Sequence, residues 1–252
     1  MERDGQGTGE GAAVTLLELI RLSRDRLDDF GGSTQPDRWA SDDSGCLWSN
    51  ATLLAHAGEA QDEFFRRTRN QFDGGLLGET PVTAGAREIA LDDRVLTVTR
   101  MEWRGEGMER ARMLEKVCRS EADRRCLWDI ALPKYWLNDL APRRPWLLGP
   151  PDADGVLLLY GTRLPDALPD DWHPDIAAGW TLAIPHRRAP SLIDWIEYRA
   201  FLRRDSDTSD ERRAAQALAR FTLEVGPQID ALTESLNLKA AGRNWRARGI
   251  YT

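Results

Sequence analysis

The chain has 252 residues, enough for one large domain or two small ones with a substantial buried core, and 30% of them are charged. Its formal net charge of −7 and isoelectric point near 5.2 exclude a protein whose whole surface grips nucleic acid. Cys46, Cys118 and Cys126 show neither a C-x-x-C pair nor zinc spacing, no apolar run approaches the ~18 residues of a membrane span, and the polar N-terminus is no signal peptide, so a soluble intracellular protein with free thiols is expected.

Residues 1–12 carry too few apolar side chains to offset the cost of ordering, and predict a disordered N-terminus. Thr15 and Glu18 read as a capping box opening a helix that ends near Phe30. Leu16, Leu19, Ile20 and Leu27 share one face of it; Arg21, Arg24, Asp25, Arg26 and Asp28 occupy much of the other. After a polar loop over 31–47, Ser49 is the N-cap of a second helix, with Trp48 placed to staple onto Leu53. Leu53, Ala57, Ala60 and Phe64 make its buried stripe, which runs to about Arg69.

From Thr80 the period alternates, and 80–84, 86–91 and 94–103 are strand candidates. Arg119 to Cys126 predicts a short helix capped by Ser120. Tyr135 to Asn138, Trp146 to Gly149 and Val156 to Thr162 are short apolar runs separated by turn residues, and predict an antiparallel meander. Residues 164–183 form a proline- and aspartate-rich connection.

Residues 184–225 predict an αα-hairpin. Leu192, Ile193, Trp195, Ile196, Tyr198, Ala200, Phe201 and Leu202 cover more of the first helix than a stripe of ~100° needs, so it is expected to be covered on more than one side. Thr208 and Glu211 form a capping box for the second, whose face carries Ala214, Ala217, Leu218, Phe221 and Val225. Gly226 and Pro227 break it, and Ile229, Leu232 and Leu236 give a last helix one apolar face. The fold class predicted is α+β, mainly a helical bundle of about four to five helices formed by 13–78 and 184–236. An inserted antiparallel β-rich subdomain takes up 79–183, and 237–252 is an extended basic C-terminal arm.

No phosphate-cradling glycine motif is present, and His56, His173 and His186 do not stand at metal-ligand spacing. Asp205, Asp207 and Asp210 lack the glycine and distal glutamate of a calcium loop and read as an acidic turn before a helix. No catalytic residue, cofactor or metal is assigned, and no enzyme is expected. The formal charge of −7 splits into +4 on 237–252 and −11 on the rest. Such asymmetry points to docking, and Arg243, Trp245, Arg246, Arg248 and Tyr251 are residue types enriched at interface hot spots. A solubilising end, a DNA-associated protein using Arg243, Arg246 and Arg248 on phosphate, and an unrecognised hydrolase are the alternatives.

Three stretches together resemble the head-to-tail adaptor family of tailed bacteriophages, also called connector or neck proteins. They are Leu47 to Phe64, the strand segment VTAGAREIALDDRVLTVTRMEW, and a set running through Pro185, Asp194 with Trp195, Arg199 to Leu202, Arg204 with Asp205, and Ala217 to Phe221. The resemblance spans roughly 13–236 and implies a non-enzymatic virion protein of the neck, assembled in the host cytoplasm without a membrane. It also implies a homo-oligomeric ring, usually a dodecamer, beneath the portal protein, with a downstream tail or neck protein on its other face and DNA passing through without specific binding. On that reading Arg243, Trp245, Arg246, Arg248 and Tyr251 form a portal-docking arm. Leu192, Trp195, Ile196, Tyr198, Phe201, Leu218 and Phe221 then make the bundle core and the seam between subunits.

Overall fold

The computed structural model describes residues 14–31, 38–68, 76–130, 132–138, 144–202 and 209–228. Among these are seven α-helices: α1 (Leu16–Leu27), α2 (Arg38–Ser41), α3 (Asn50–Thr68), α4 (Arg119–Arg124), α5 (Pro174–Gly179), α6 (Ala189–Phe201) and α7 (Glu211–Val225). The six strands are β1 (Leu76–Val82), β2 (Val95–Gly105), β3 (Arg112–Lys116), β4 (Tyr135–Leu137), β5 (Trp146–Leu148) and β6 (Gly155–Arg163). Contacts divide the chain into two compact units, one of Met1–Arg67 with Pro165–Gln228, the other built on Thr68–Leu164.

In the first unit, Thr15 Oγ1 accepts the Glu18 amide at 3.2 Å and starts α1, which ends at Asp28 in the left-handed region. Its buried face is Leu16, Leu19, Ile20, Ser23, Arg24 and Leu27. Arg24 thus lies four residues after Ile20 on the apolar side, opposite to where its charge alone places it. Ser49 Oγ accepts the Thr52 amide at 3.1 Å and opens α3 as expected, with Trp48 and Leu53 both buried in one core. The connection after Pro165 carries α5, begun by Pro174. Asp210 caps α7 by accepting the Arg213 amide at 3.0 Å; Thr208, the expected cap, and the helix expected over 229–236 lie outside the described residues.

The helical bundle is not what the chain forms. Of the seven helices only α1, α3, α6 and α7 exceed six residues. They associate in pairs, α6 against α7 and α1 against α5 and α6, and α3 joins through the buried Leu53, Ala57, Ala60 and Phe64. Proline and short polar stretches cut the remaining helical signal into single turns that cannot present a continuous ridge for bundle packing.

In the second unit the strands form one six-stranded sheet in the order β1-β6-β2-β3-β4-β5. It is not wholly antiparallel, because β3 pairs with β4 in parallel. The chain between them passes through α4 and the 3-10 turn Leu127–Asp129, a crossover that lets β4 run the same way as β3. No meander forms either, since β6 lies between β1 and β2 instead of beside β5. The Arg119 helix is preceded by Cys118 with no side-chain cap, rather than capped by Ser120. The expected strand at 86–91 shrinks to a bridge between Glu88 and Trp146. There the Leu147 amide donates to Arg87 O at 2.7 Å and the Ile89 amide to Pro145 O at 3.0 Å. Residues 87–89 therefore cover the β5 edge although they follow β1, the opposite edge, in the chain. These bonds leave less of the β5 backbone open for unwanted pairing. Met101, Trp103, Leu114, Trp136, Leu147, Leu157 and Leu159 fill its inner face.

Candidate functional site

The residues singled out on the helical hairpin converge in the first unit. Leu192, Ile196 and Phe221 are fully buried, and Phe201 nearly so; Trp195, Tyr198 and Leu218 are half-buried. Trp195 stands with its ring centroid 4.9 Å from Phe221 and 5.3 Å from Tyr198, and Trp48 meets Phe201 edge-on at 5.6 Å. Such pairs add about 0.5–1.5 kcal/mol beyond the area they bury. The arm residues Arg243, Trp245, Arg246, Arg248 and Tyr251 lie outside the described residues.

Charged joints, which hydrophobic periodicity passes over, orient these helices. Arg24 has no exposed surface, and its guanidinium donates to Asp29 Oδ2 at 2.8 Å, Asp29 O at 3.0 Å, Trp48 O at 3.0 Å and Asn50 Oδ1 at 2.7 Å. Asp29 in turn accepts the amides of Leu47 and Trp48 at 2.7 and 3.1 Å, and Asn50 Nδ2 donates to Trp39 O. One arginine therefore fixes the end of α1, the loop after it and the start of α3. Its position at helical spacing from Ile20 and Leu27 was the available signal.

Two further joints tie α7. Arg220 Nε donates to Asp194 Oδ1 at 2.8 Å and Nη2 to Glu197 Oε2, both carboxylates on the nearly buried side of α6. The hydrogen bond it donates to Asp194, helped by the charges of Asp194 and Glu197, raises the Arg220 pKa above its ordinary value. Arg26 and Arg213 stand 3.9 Å from Glu197, so three guanidinium groups surround one carboxylate. At the other end of α7, Arg67 of α3 reaches Glu63, Thr222 and Gly226.

A surface cavity of about 390 Å³ is lined by Thr15, Leu17, Glu18, Arg21, Trp39 and Ala40, with Glu18 and Arg21 as its ionisable groups among the described residues. Among the described residues no group of His, Cys, Asp or Glu could hold a metal ion, and no helix is long and apolar enough to cross a membrane. Burial raises the Cys46 thiol above its ordinary pKa, away from the reactive thiolate. What the geometry offers is a helical scaffold with the half-buried Trp195 and Tyr198 packed against its core.

A comparison with curated proteins gave no match. A family model for the SU10 adaptor protein matches residues 14–248, which takes in both units and most of the basic C-terminal segment. The chain belongs to the SU10 adaptor family, a family of phage head-to-tail adaptor proteins.

Proposed function

We propose that this structural phage adaptor forms a homo-oligomeric ring beneath the portal, extends the DNA channel and offers the tail or a further neck protein its docking surface. The family match over 14–248 carries the reading. The seam between neighbouring subunits falls to the half-buried Trp195, Tyr198 and Leu218, while Leu192, Ile196, Phe201 and Phe221 serve the core of a single subunit. The acidic remainder of the chain suits a channel through which DNA slides, because a basic lumen would hold phosphate strongly. The segment 237–252, with Arg243, Trp245, Arg246, Arg248 and Tyr251, reaches the portal.

The test mixes the purified protein with the portal protein of the same virus and follows sedimentation and negative-stain images. Rings seated on portal are expected, and a chain lacking 237–252 should stay folded but no longer sediment with portal. A mixture that stays free portal plus adaptor monomers would end the ring reading. Retained binding by the truncated chain would move the contact to the helical unit.

A further inference from the structure

Helix α7 has two apolar faces, and its own unit covers one of them. Ala214, Ala217 and Phe221 are buried on the side that packs against α6, while Ala215, Ala219 and Leu223 stand four residues apart on the other side and are exposed. Leu223, at 90%, is the most exposed large apolar side chain among the described residues. The half-buried Leu218 lies between the two faces, so Ala215, Leu218, Ala219 and Leu223 make one continuous apolar surface and not a scattered leucine. Arg212 heads this outer face, exposed and with no side-chain partner among the described residues.

A matching face lies elsewhere in the same unit. Opposite its buried Leu53, Ala57, Ala60 and Phe64, α3 turns Ala51, Ala55, Gly58 and Glu59 outward. A Cβ at Gly58 would meet nothing within 4 Å, so this side of the helix is uncovered. Leu47, just ahead of α3, is 57% exposed. Glu59 pairs with Arg199 at 2.7 Å and keeps enough open carboxylate to take a second guanidinium. Along the chain the outer face of α3 thus runs from apolar to acidic, and that of α7 from basic to apolar. Laid antiparallel with Arg212 near Glu59, Ala215 falls opposite Ala55 and Ala219 opposite Ala51, and Leu223 comes beside Leu47, because both faces advance in four-residue steps. The small side chains between the two ends let the helix axes approach to about 8 Å.

We propose that the outer face of α7 docks on the outer face of α3 in a second copy of the chain. Each subunit lends α7 to one neighbour and α3 to the other. Because the two faces differ, the contact is heterologous, the kind that closes into a ring and not into a two-fold dimer. It continues the seam already assigned to Leu218, gives it a partner surface and sets its direction through Arg212 and Glu59. The inference rests on the ring reading.

Two full-length variants test it, each mixed with the portal protein of the same virus. Leu223→Glu should keep the wild-type melting temperature, since the side chain touches little in its own subunit, and should weaken ring assembly by about tenfold or more. The second carries Ala51→Cys and Ala219→Cys, with Cys46, Cys118 and Cys126 replaced by alanine. Oxidised on portal, it should give a ladder of linked subunits up to the closed ring. Rings that form normally with Leu223→Glu, or wild-type rings whose cysteine variant links no subunits, would overturn the docking of α7 on α3 and leave the ring reading standing. A ladder that stops at dimers would overturn it too, since like faces would then pair. Wild-type protein that stays monomeric beside portal would sink the ring reading and this contact together.

Discussion

The two units use the same residue type in opposite ways. In the helical unit two guanidinium groups go inside, Arg24 fully buried and Arg67 nearly so, each bridging two or three segments. In the β unit Arg100, Arg104 and Arg125 keep about a third or more of their side chains exposed. Arg100 stacks 3.8 Å from the Tyr160 ring centroid, Arg104 pairs with Glu79 at 2.9 Å, and Arg125 meets Glu121 and the Tyr135 hydroxyl. The reason lies in the backbone. A helix satisfies its own amides, so only side chains can fix how one helix meets another. Strands satisfy theirs across a ladder, which fixes register before any side chain is counted. These buried guanidinium groups are thus structural in one unit, while the exposed ion pairs of the other contribute about 0–1 kcal/mol each.

The largest effect should come from cutting the buried joint. Arg24→Met leaves the buried Asp29 with the Leu47 and Trp48 amides but without its paired cation, and should cost about 3–5 kcal/mol in denaturant unfolding. Adding Asp29→Asn to that variant should recover part of the loss, because the uncompensated charge disappears while an oxygen remains for the Leu47 or Trp48 amide. Strictly additive losses would show that the two side chains are not coupled, and the contrast between the units would lose its main support.

The β unit should be broken instead by a methyl group. A Cβ on Gly161 would stand 2.0 Å from Thr97 O on the neighbouring strand, and that atom is backbone that cannot swing aside. Gly161→Ala should cost about 1–3 kcal/mol, toward the upper end, with exchange rising along β2 and β6 first. Arg100→Ala, on the outer face of the same sheet, should move stability by well under 1 kcal/mol. If Arg100→Ala proved as costly as Gly161→Ala, the claim that the ladder and not the surface holds this unit would fail.

How legible each unit is in the sequence follows the same division. The Thr15 and Ser49 caps, the Leu53-to-Phe64 stripe and the apolar α6 are local patterns of three- and four-residue spacing, and they stand in the structure as read. The bundle is not there, because periodicity reports that a face is buried and not what covers it. The parallel β3–β4 pair and the insertion of β6 between β1 and β2 are pairings between distant segments, with no local signature in short apolar runs. The Arg24 joint was hidden for another reason. Its charge argues for solvent, and only its place four residues after Ile20 argues against.

The smallest expected effect tests whether side-chain ties govern the helical unit even at its surface. Asp42, just after α2, accepts hydrogen bonds from Ser44 and then from Arg38, at 2.9 Å in the latter case, and these hold its pKa at about 2 against an ordinary 3.8. A carboxylate whose folded pKa is depressed lends stability that is complete above its unfolded value. Here the tie is intact at pH 5 and weakens as the pH falls from about 4 toward 2. The group is fully exposed, so salt screens it and global unfolding should barely respond. The Ser44 amide, which donates to Asp42 Oδ1 at 3.2 Å, is the sensitive reporter. Its resonance should titrate with a midpoint near 2, and Asp42→Asn should abolish the step. A midpoint near 3.8 would mean that Asp42 is untied in solution, and that directional side-chain bonds hold this unit only where they are buried.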